Sequence, residues 1–153
     1  MKDAFGGILN LAIITVFLLI VSGVLGFTVS YTKAFRMKNI VIDAFERYDS
    51  LGCLKNDRED SACKDKIKAG AESIHYAPNS LNCPTDYERM DGLFCYKESN
   101  SLKNTEVSSY KNVKTYRIIT QVDINIPIIN KIMGLRIFQV SGDTRELQPS
   151  FNK

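Results

Sequence analysis

Most signatures of an enzyme or a nucleic-acid binder are missing from this 153-residue chain. It has a single histidine, His75, beside Tyr76 and far from any nucleophile-like motif, so a surface or structural role is expected for it. No phosphate-cradling glycine loop, nucleophile elbow or metal-binding helix motif occurs. The sequence therefore nominates no catalytic, cofactor-binding or metal-ligating residue, and no small-molecule substrate is expected. The 20 Lys and Arg outnumber the 17 Asp and Glu by only three, and bases alternate with acids, as in Lys55-Asn56-Asp57-Arg58-Glu59-Asp60. A nucleic-acid interface wants a basic face interleaved with aromatics, and none stands out. Asp57, Glu59, Asp60 and Asp65 lack the alternating spacing and turn glycine of a calcium loop, and read as a solvated face. Glycine and proline are modest, at 9 and 4, against 44% hydrophobic residues, which argues against disorder.

One further absence carries more information. From Ala4 to Thr32 there is no charged side chain, and the middle of that run is almost wholly apolar. A hydrocarbon core about 30 Å thick is crossed by roughly 20 helical residues, so the run is long enough to span it. Leu, Ile, Phe and Val each favour insertion by about 0.3–0.6 kcal/mol near the bilayer centre, which outweighs the penalties of Asn10, Thr15, Ser22 and Thr28. A cleaved secretory signal competes with this reading. Signal cores are shorter and end at an A-x-A-like site, whereas Gly23-Val24-Leu25-Gly26-Phe27 runs on into Thr28-Val29-Ser30-Tyr31. The segment is expected to stay in the working protein.

Past the span, Ala34, Met37, Val41, Ala44, Phe45 and Tyr48 recur at three- and four-residue intervals with charged residues between them. That is the pattern of one apolar helical stripe. No proline interrupts it, and Gly52 is placed to cap the end after Ser50 and Leu51. The organisation expected is a transmembrane helix segment over 1–32, its amphipathic continuation over 33–52, and one small extracytoplasmic α+β head over 53–153.

Four cysteines, Cys53, Cys63, Cys83 and Cys95, all follow the span. Their wide spacing and the lone histidine disfavour zinc, which takes close cysteine pairs. Two disulfides are expected, with sequential pairing preferred among the three possible connectivities, and an oxidising compartment is implied. Lys33, Arg36 and Lys38 after the span, against Lys2 before it, pull the other way under the positive-inside rule. The cysteines weigh more, because those bases sit on a helix that continues into a folded domain.

Within the head, Asp60 to His75 reads as a short helix with Ala62, Ile67, Ala71 and Ile74 as its apolar positions. Asp91-Gly92 before Leu93-Phe94-Cys95-Tyr96 suggests a turn feeding a strand. Tyr116, Ile118, Thr120, Val122, Ile124 and Ile126 alternate with Arg117, Gln121, Asp123 and Asn125, predicting a half-buried antiparallel strand that ends at Pro127. A second strand is expected over 135–141, broken by Gly142-Asp143. Some three strands stacked on the amphipathic half-helix would bury both apolar faces.

A helix that starts in the bilayer and becomes the spine of a small sheet domain resembles the type IV pilin-like architecture. The tail, Val122-Asp123-Ile124-Asn125-Ile126-Pro127 followed by Leu135-Arg136-Ile137-Phe138-Gln139-Val140-Ser141 and Asp143-Thr144-Arg145-Glu146-Leu147, is similar to the ending of TadE-like proteins. The resemblance covers roughly the first 50 and last 35 residues. It implies a minor pilin or pseudopilin that packs against identical or related subunits in a surface filament or envelope assembly. The chain departs from the pilin pattern at one point: cutting after Gly6 or Gly7 would leave Leu11 or Ala12 at the fifth mature position, where pilins carry Glu. Asn10 is the strongly polar group early in the span, and Ser22, Gly23 and Gly26 form a small-residue seam for close helix contact. The alternative is a single-pass anchored ectodomain that binds a ligand or another envelope protein through its 78–110 loops.

Overall fold

The computed structural model describes residues 2–48, 53–54, 61–79, 81–99, 114–123, 137–145 and 147. One helix, α1, runs without a break over Lys2–Arg47. At 1.5 Å per residue its 46 residues extend about 69 Å. A second helix, α2, covers Ser61–Ser73. Four strands follow: β1 over Glu88–Met90, β2 over Phe94–Ser99, β3 over Thr115–Asp123 and β4 over Ile137–Asp143. They form one antiparallel sheet in the order β1-β2-β3-β4, so each strand pairs with its neighbour in the chain. The architecture is α+β, a long N-terminal helix on a small antiparallel sheet, with one more strand than the sequence pattern suggested.

The stripe on α1 builds the core. Ala34, Met37, Val41, Ala44 and Phe45 are fully buried against Tyr116, Ile118 and Val122 of β3 and Phe94 of β2. Phe45 sits edge-on to Phe94 and Tyr116, with ring centroids 6.1 and 5.7 Å away, in the arrangement that sets the positive edge of one ring on the face of another. The Thr120 hydroxyl donates to the Ala34 carbonyl oxygen at 2.9 Å, tying sheet directly to helix. Tyr48, expected to continue the stripe, is exposed and lies beside the Lys66 ammonium. Gly52, the expected cap, falls outside the described residues, as do Ile124, Asn125, Ile126 and Pro127.

In α2 the buried positions are Cys63, Ile67 and Ala71, one turn apart. Cys63 takes the place expected of Ala62, which is exposed, because the disulfide to Cys53 draws that face inward. Gly70 lets α2 approach α1, since a Cβ there would stand 2.7 Å from Ile40 Cγ2. His75 ends the helix in the left-handed region, at φ 52°. The Tyr76 amide donates to the Ala71 carbonyl at 2.9 Å and the His75 amide to Glu72 at 3.0 Å. This is a Schellman cap with histidine where glycine is usual, and Tyr76 packs in the same core as Ala71.

Asp91 and Gly92, at φ 48° and 71°, form the tight turn joining β1 to β2, closed by the Leu93 amide donating to Met90 at 3.0 Å. Positive φ at both central residues matches the twist of the flanking strands. At the other end of the sheet, β4 continues through Gly142 and Asp143, where a break was expected. Gly142 leaves room for side chains of α1 to pass close: a Cβ would come within 2.9 Å of Lys38 Cδ and 3.1 Å of Ile42 Cδ1. Asp143 pairs with Arg117 across the strands at 2.7 Å, and that bond holds the Asp143 carboxyl below its ordinary range.

Gln121 departs most from the expected alternation. Its strand face was assigned to water, yet it is only 1% exposed. The segment from Leu81 to Tyr87 crosses this outer face, where Leu81, Cys95 and Ile119 make a second small cluster. Cys83–Cys95 closes it over 12 residues, and Cys53–Cys63 joins the segment after α1 to α2 over 10. β2 reaches only as far as the Cys95↔Ile119 pairing, so among the described residues no strand lies beside Gln121 on that side. The Tyr76 hydroxyl fills the gap, donating to the Gln121 carbonyl at 2.9 Å and accepting from its amide at 3.0 Å. The Gln121 Oε1 accepts from the Asn82 amide at 2.9 Å.

Candidate functional site

The feature that nothing in the head explains is the first half of α1. Between Ile8 and Leu25 the large apolar side chains stand free, with Ile8 70% and Leu25 62% exposed. The helix is long and apolar enough to cross a membrane. Its polar side chains are arranged for an apolar surrounding. The hydroxyls of Thr15, Thr28 and Thr32 donate to the carbonyls of Leu11, Val24 and Thr28 at 2.7–2.9 Å, and Ser22 donates to Leu19 at 3.0 Å. Each donor is thus satisfied by its own helix, which a medium without water requires. Asn10 is exposed.

The small-residue seam lies on a definite line. Counting back from Val41, Met37 and Ala34 by alternating steps of four and three reaches Ser30, Phe27 and Gly23, so the core-facing stripe continues up the bare half. Gly23 is buried, Phe27, Ser30 and Gly26 are half-buried, and Ser22 next to Gly23 is exposed. The line that the sheet covers over 34–45 is therefore the same line that carries the small residues above it.

Where the two halves meet, aromatics gather. Phe27 meets Phe138 of β4 edge-to-face at 5.9 Å and Tyr31 at 6.2 Å, and Tyr31 stacks on Phe35 at 6.4 Å. The Lys38 ammonium lies 4.2 Å from the Phe35 ring centre. Lys33 donates to the His75 carbonyl at 3.3 Å, fastening the end of α2 to the shaft.

The chain's tail locks the far end of the head. Thr144 exchanges hydrogen bonds with Tyr116, its amide donating to the Tyr116 carbonyl and its Oγ1 accepting from the Tyr116 amide, both at 2.9 Å. The Arg145 amide donates to Glu46 Oε1 on α1 at 3.0 Å. Lys114 and Leu147 exchange a backbone pair, and Lys114 also bonds Glu98, which raises its pKa. These contacts fasten Thr144, Arg145 and Leu147 to β3, α1 and Lys114.

Among the described residues, no three His, Cys, Asp or Glu side chains come together as a metal site would need. His75 serves the helix cap, and all four cysteines are in disulfides. Asp65 is exposed, and Asp57, Glu59 and Asp60 fall outside the described residues. Of the 78–110 segment, residues 81–87 pack on the sheet's outer face, while residues 100–113 lie outside the description. Sequence reasoning missed the Tyr76–Gln121–Asn82 network and the aromatic junction. The junction had a visible signal, aromatics at 27, 31 and 35 ending an uncharged run, but Phe138 joins them only through the fold.

The fold and this site define a class: a stapled α+β head on a helix whose other half is apolar and bare. No family model matches the chain, and no curated protein or solved structure is detectably similar to it.

Proposed function

We propose that this chain is a non-enzymatic, single-pass structural subunit of pilin-like or TadE-like type. In this reading α1 anchors in the membrane through its first half and packs against identical or related helices of a surface filament or envelope assembly. One observation carries the reading: the helical line that is core in the head continues unbroken into a half-helix that the described residues of the head leave uncovered. Gly23 and Gly26 on and beside that line permit close approach of a second helix. The two disulfides support a head on the oxidising side.

The test is site-specific photo-crosslinking in native membranes, with the reactive group at Leu19 or Val24 and, as control, at Glu72 on the head. Crosslinks between subunits at the first two positions and none at the third are expected. A chain that stays monomeric at every position refutes the assembly. Protection of the head from an impermeant protease added to intact cells refutes the external orientation.

A further inference from the structure

We propose that the base of the head is a lipid-docking collar, in which Tyr31 and Phe138 seat in the headgroup layer while Phe35 stands on its outer side and Lys33, Arg36 and Lys38 reach back toward lipid phosphates with their long side chains. The inference rests on the membrane-spanning reading above and names what the exposed surface at the junction touches.

Length comes first. From Gly6 to Phe27 the helix rises about 32 Å, close to the roughly 30 Å of a hydrocarbon core. Phe27 therefore falls at the edge of the core, and Tyr31 about 6 Å further out, inside a headgroup layer some 5–8 Å thick. Phe138 meets Phe27 from the sheet, so the head reaches down to the same level. Exposure comes second. Tyr31, Phe35 and Phe138 are 42%, 41% and 42% exposed, although each has a ring partner within 6.4 Å. Tyrosine and its neighbours at that depth are the residues that settle at a bilayer boundary, with an apolar body and, for Tyr31, a polar tip.

Charge comes third and identifies the occupant. No acidic residue occurs between Asp3 and Asp43, and the bases in that interval are Lys33, Arg36 and Lys38. At about 100° per residue Arg36 lies about 60° from Lys33 and Lys38 about 140° from it on the other side, so over about 8 Å of rise the cations occupy both flanks of the head-facing stripe. Lys33 and Lys38 are half-buried, their stems along the head, and Arg36 is exposed. Cations on both flanks beside aromatic side chains complement the phosphates of a lipid leaflet, whereas a neighbouring protein surface would need matching acids on one side only.

The chain contains no tryptophan, so a single introduced one reports its own surroundings. The full-length protein is reconstituted in phosphatidylcholine/phosphatidylglycerol vesicles carrying bromines either high or deep on the acyl chains. Four variants are compared: Phe138→Trp, Phe35→Trp, Phe17→Trp in the span, and Tyr48→Trp at the far end of the helix. The collar predicts quenching of Trp at 138 by the shallow bromines above the deep ones, weaker quenching at 35 than at 138, the reverse depth preference at 17, and none at 48. It also predicts that Arg36→Glu with Lys38→Glu abolishes the extra quenching at 138 that phosphatidylglycerol brings over phosphatidylcholine alone. If 17 is quenched while 138 behaves like 48, the collar is wrong and the span stands. If 17 is not quenched, the spanning reading itself fails. Blue-shifted emission at 138 without quenching by either lipid means that a second protein chain covers the surface, which also overturns the collar.

Discussion

Changing Tyr76 to phenylalanine removes one oxygen atom, and the structure sets what that should cost. The hydroxyl both donates to the Gln121 carbonyl and accepts from the Gln121 amide, at 2.9 and 3.0 Å, where β2 has already ended. Gln121 is buried, so water has little access to replace it. Leaving a buried polar group without a partner costs about 1–3 kcal/mol each, and two groups are affected. A loss of about 2–4 kcal/mol is expected, a large share of the 5–15 kcal/mol that holds a typical domain. The measurement is urea unfolding of the full chain in detergent micelles with disulfides intact, followed by near-ultraviolet circular dichroism of the tyrosines. With a slope of about 1–2 kcal/mol per molar for a small head, the midpoint should fall by roughly 1–4 M at unchanged slope. Tyr96→Phe is the control, because its hydroxyl bonds the exposed Glu88 carboxylate and should cost less than about 1 kcal/mol. If Tyr76→Phe loses no more than that control, the hydroxyl is not standing in for a strand, and the account of Gln121 is wrong.

Three further outcomes are expected. His75→Gly should stabilise the head by about 0.5–1 kcal/mol, because glycine occupies the left-handed cap without the Cβ penalty, and a drop in thermal midpoint would contradict the Schellman assignment. Removing the second staple with Cys83→Ser and Cys95→Ser should cost about 3 kcal/mol from the entropy of its 12-residue loop, read as a lower urea midpoint, with α1 helicity unchanged by far-ultraviolet dichroism. Arg117 lowers the Asp143 pKa, so this pair stabilises the fold above the unfolded carboxyl value near 4 and the gain is lost as pH falls through the lower folded value. With both side chains about half exposed the effect is under about 1 kcal/mol, and it should vanish from the pH 3–5 stability profile of Asp143→Asn.

Some of this fold is legible because local patterns carry it. The three-and-four spacing from Ala34 to Phe45, the uncharged run before it and the missing proline define a helix without reference to anything distant. Asp91-Gly92 likewise announces its own turn. The elements that departed from expectation depend on partners remote in the chain. Gln121 looks like a solvent residue until Tyr76 and Asn82, 45 and 39 positions away, are laid over it. Gly142 looks like a strand breaker until α1 presses Lys38 and Ile42 against it. Ala62 looks apolar, yet the crosslink at Cys63 decides which face of α2 turns inward. The bare half-helix was readable from composition, whereas the aromatic junction needed the fold to bring Phe138 to Phe27.

The bond from Thr120 to Ala34, with the dry packing around it, leaves head and helix no hinge among the described residues. Whatever orientation the shaft takes in its surroundings is passed on whole. In the spanning arrangement proposed above, the average lean of such helices, about 20°, would carry the far tip of a rod of about 69 Å sideways by about 24 Å. The head would then move as the long arm of a lever, turning small changes of lean into large displacements.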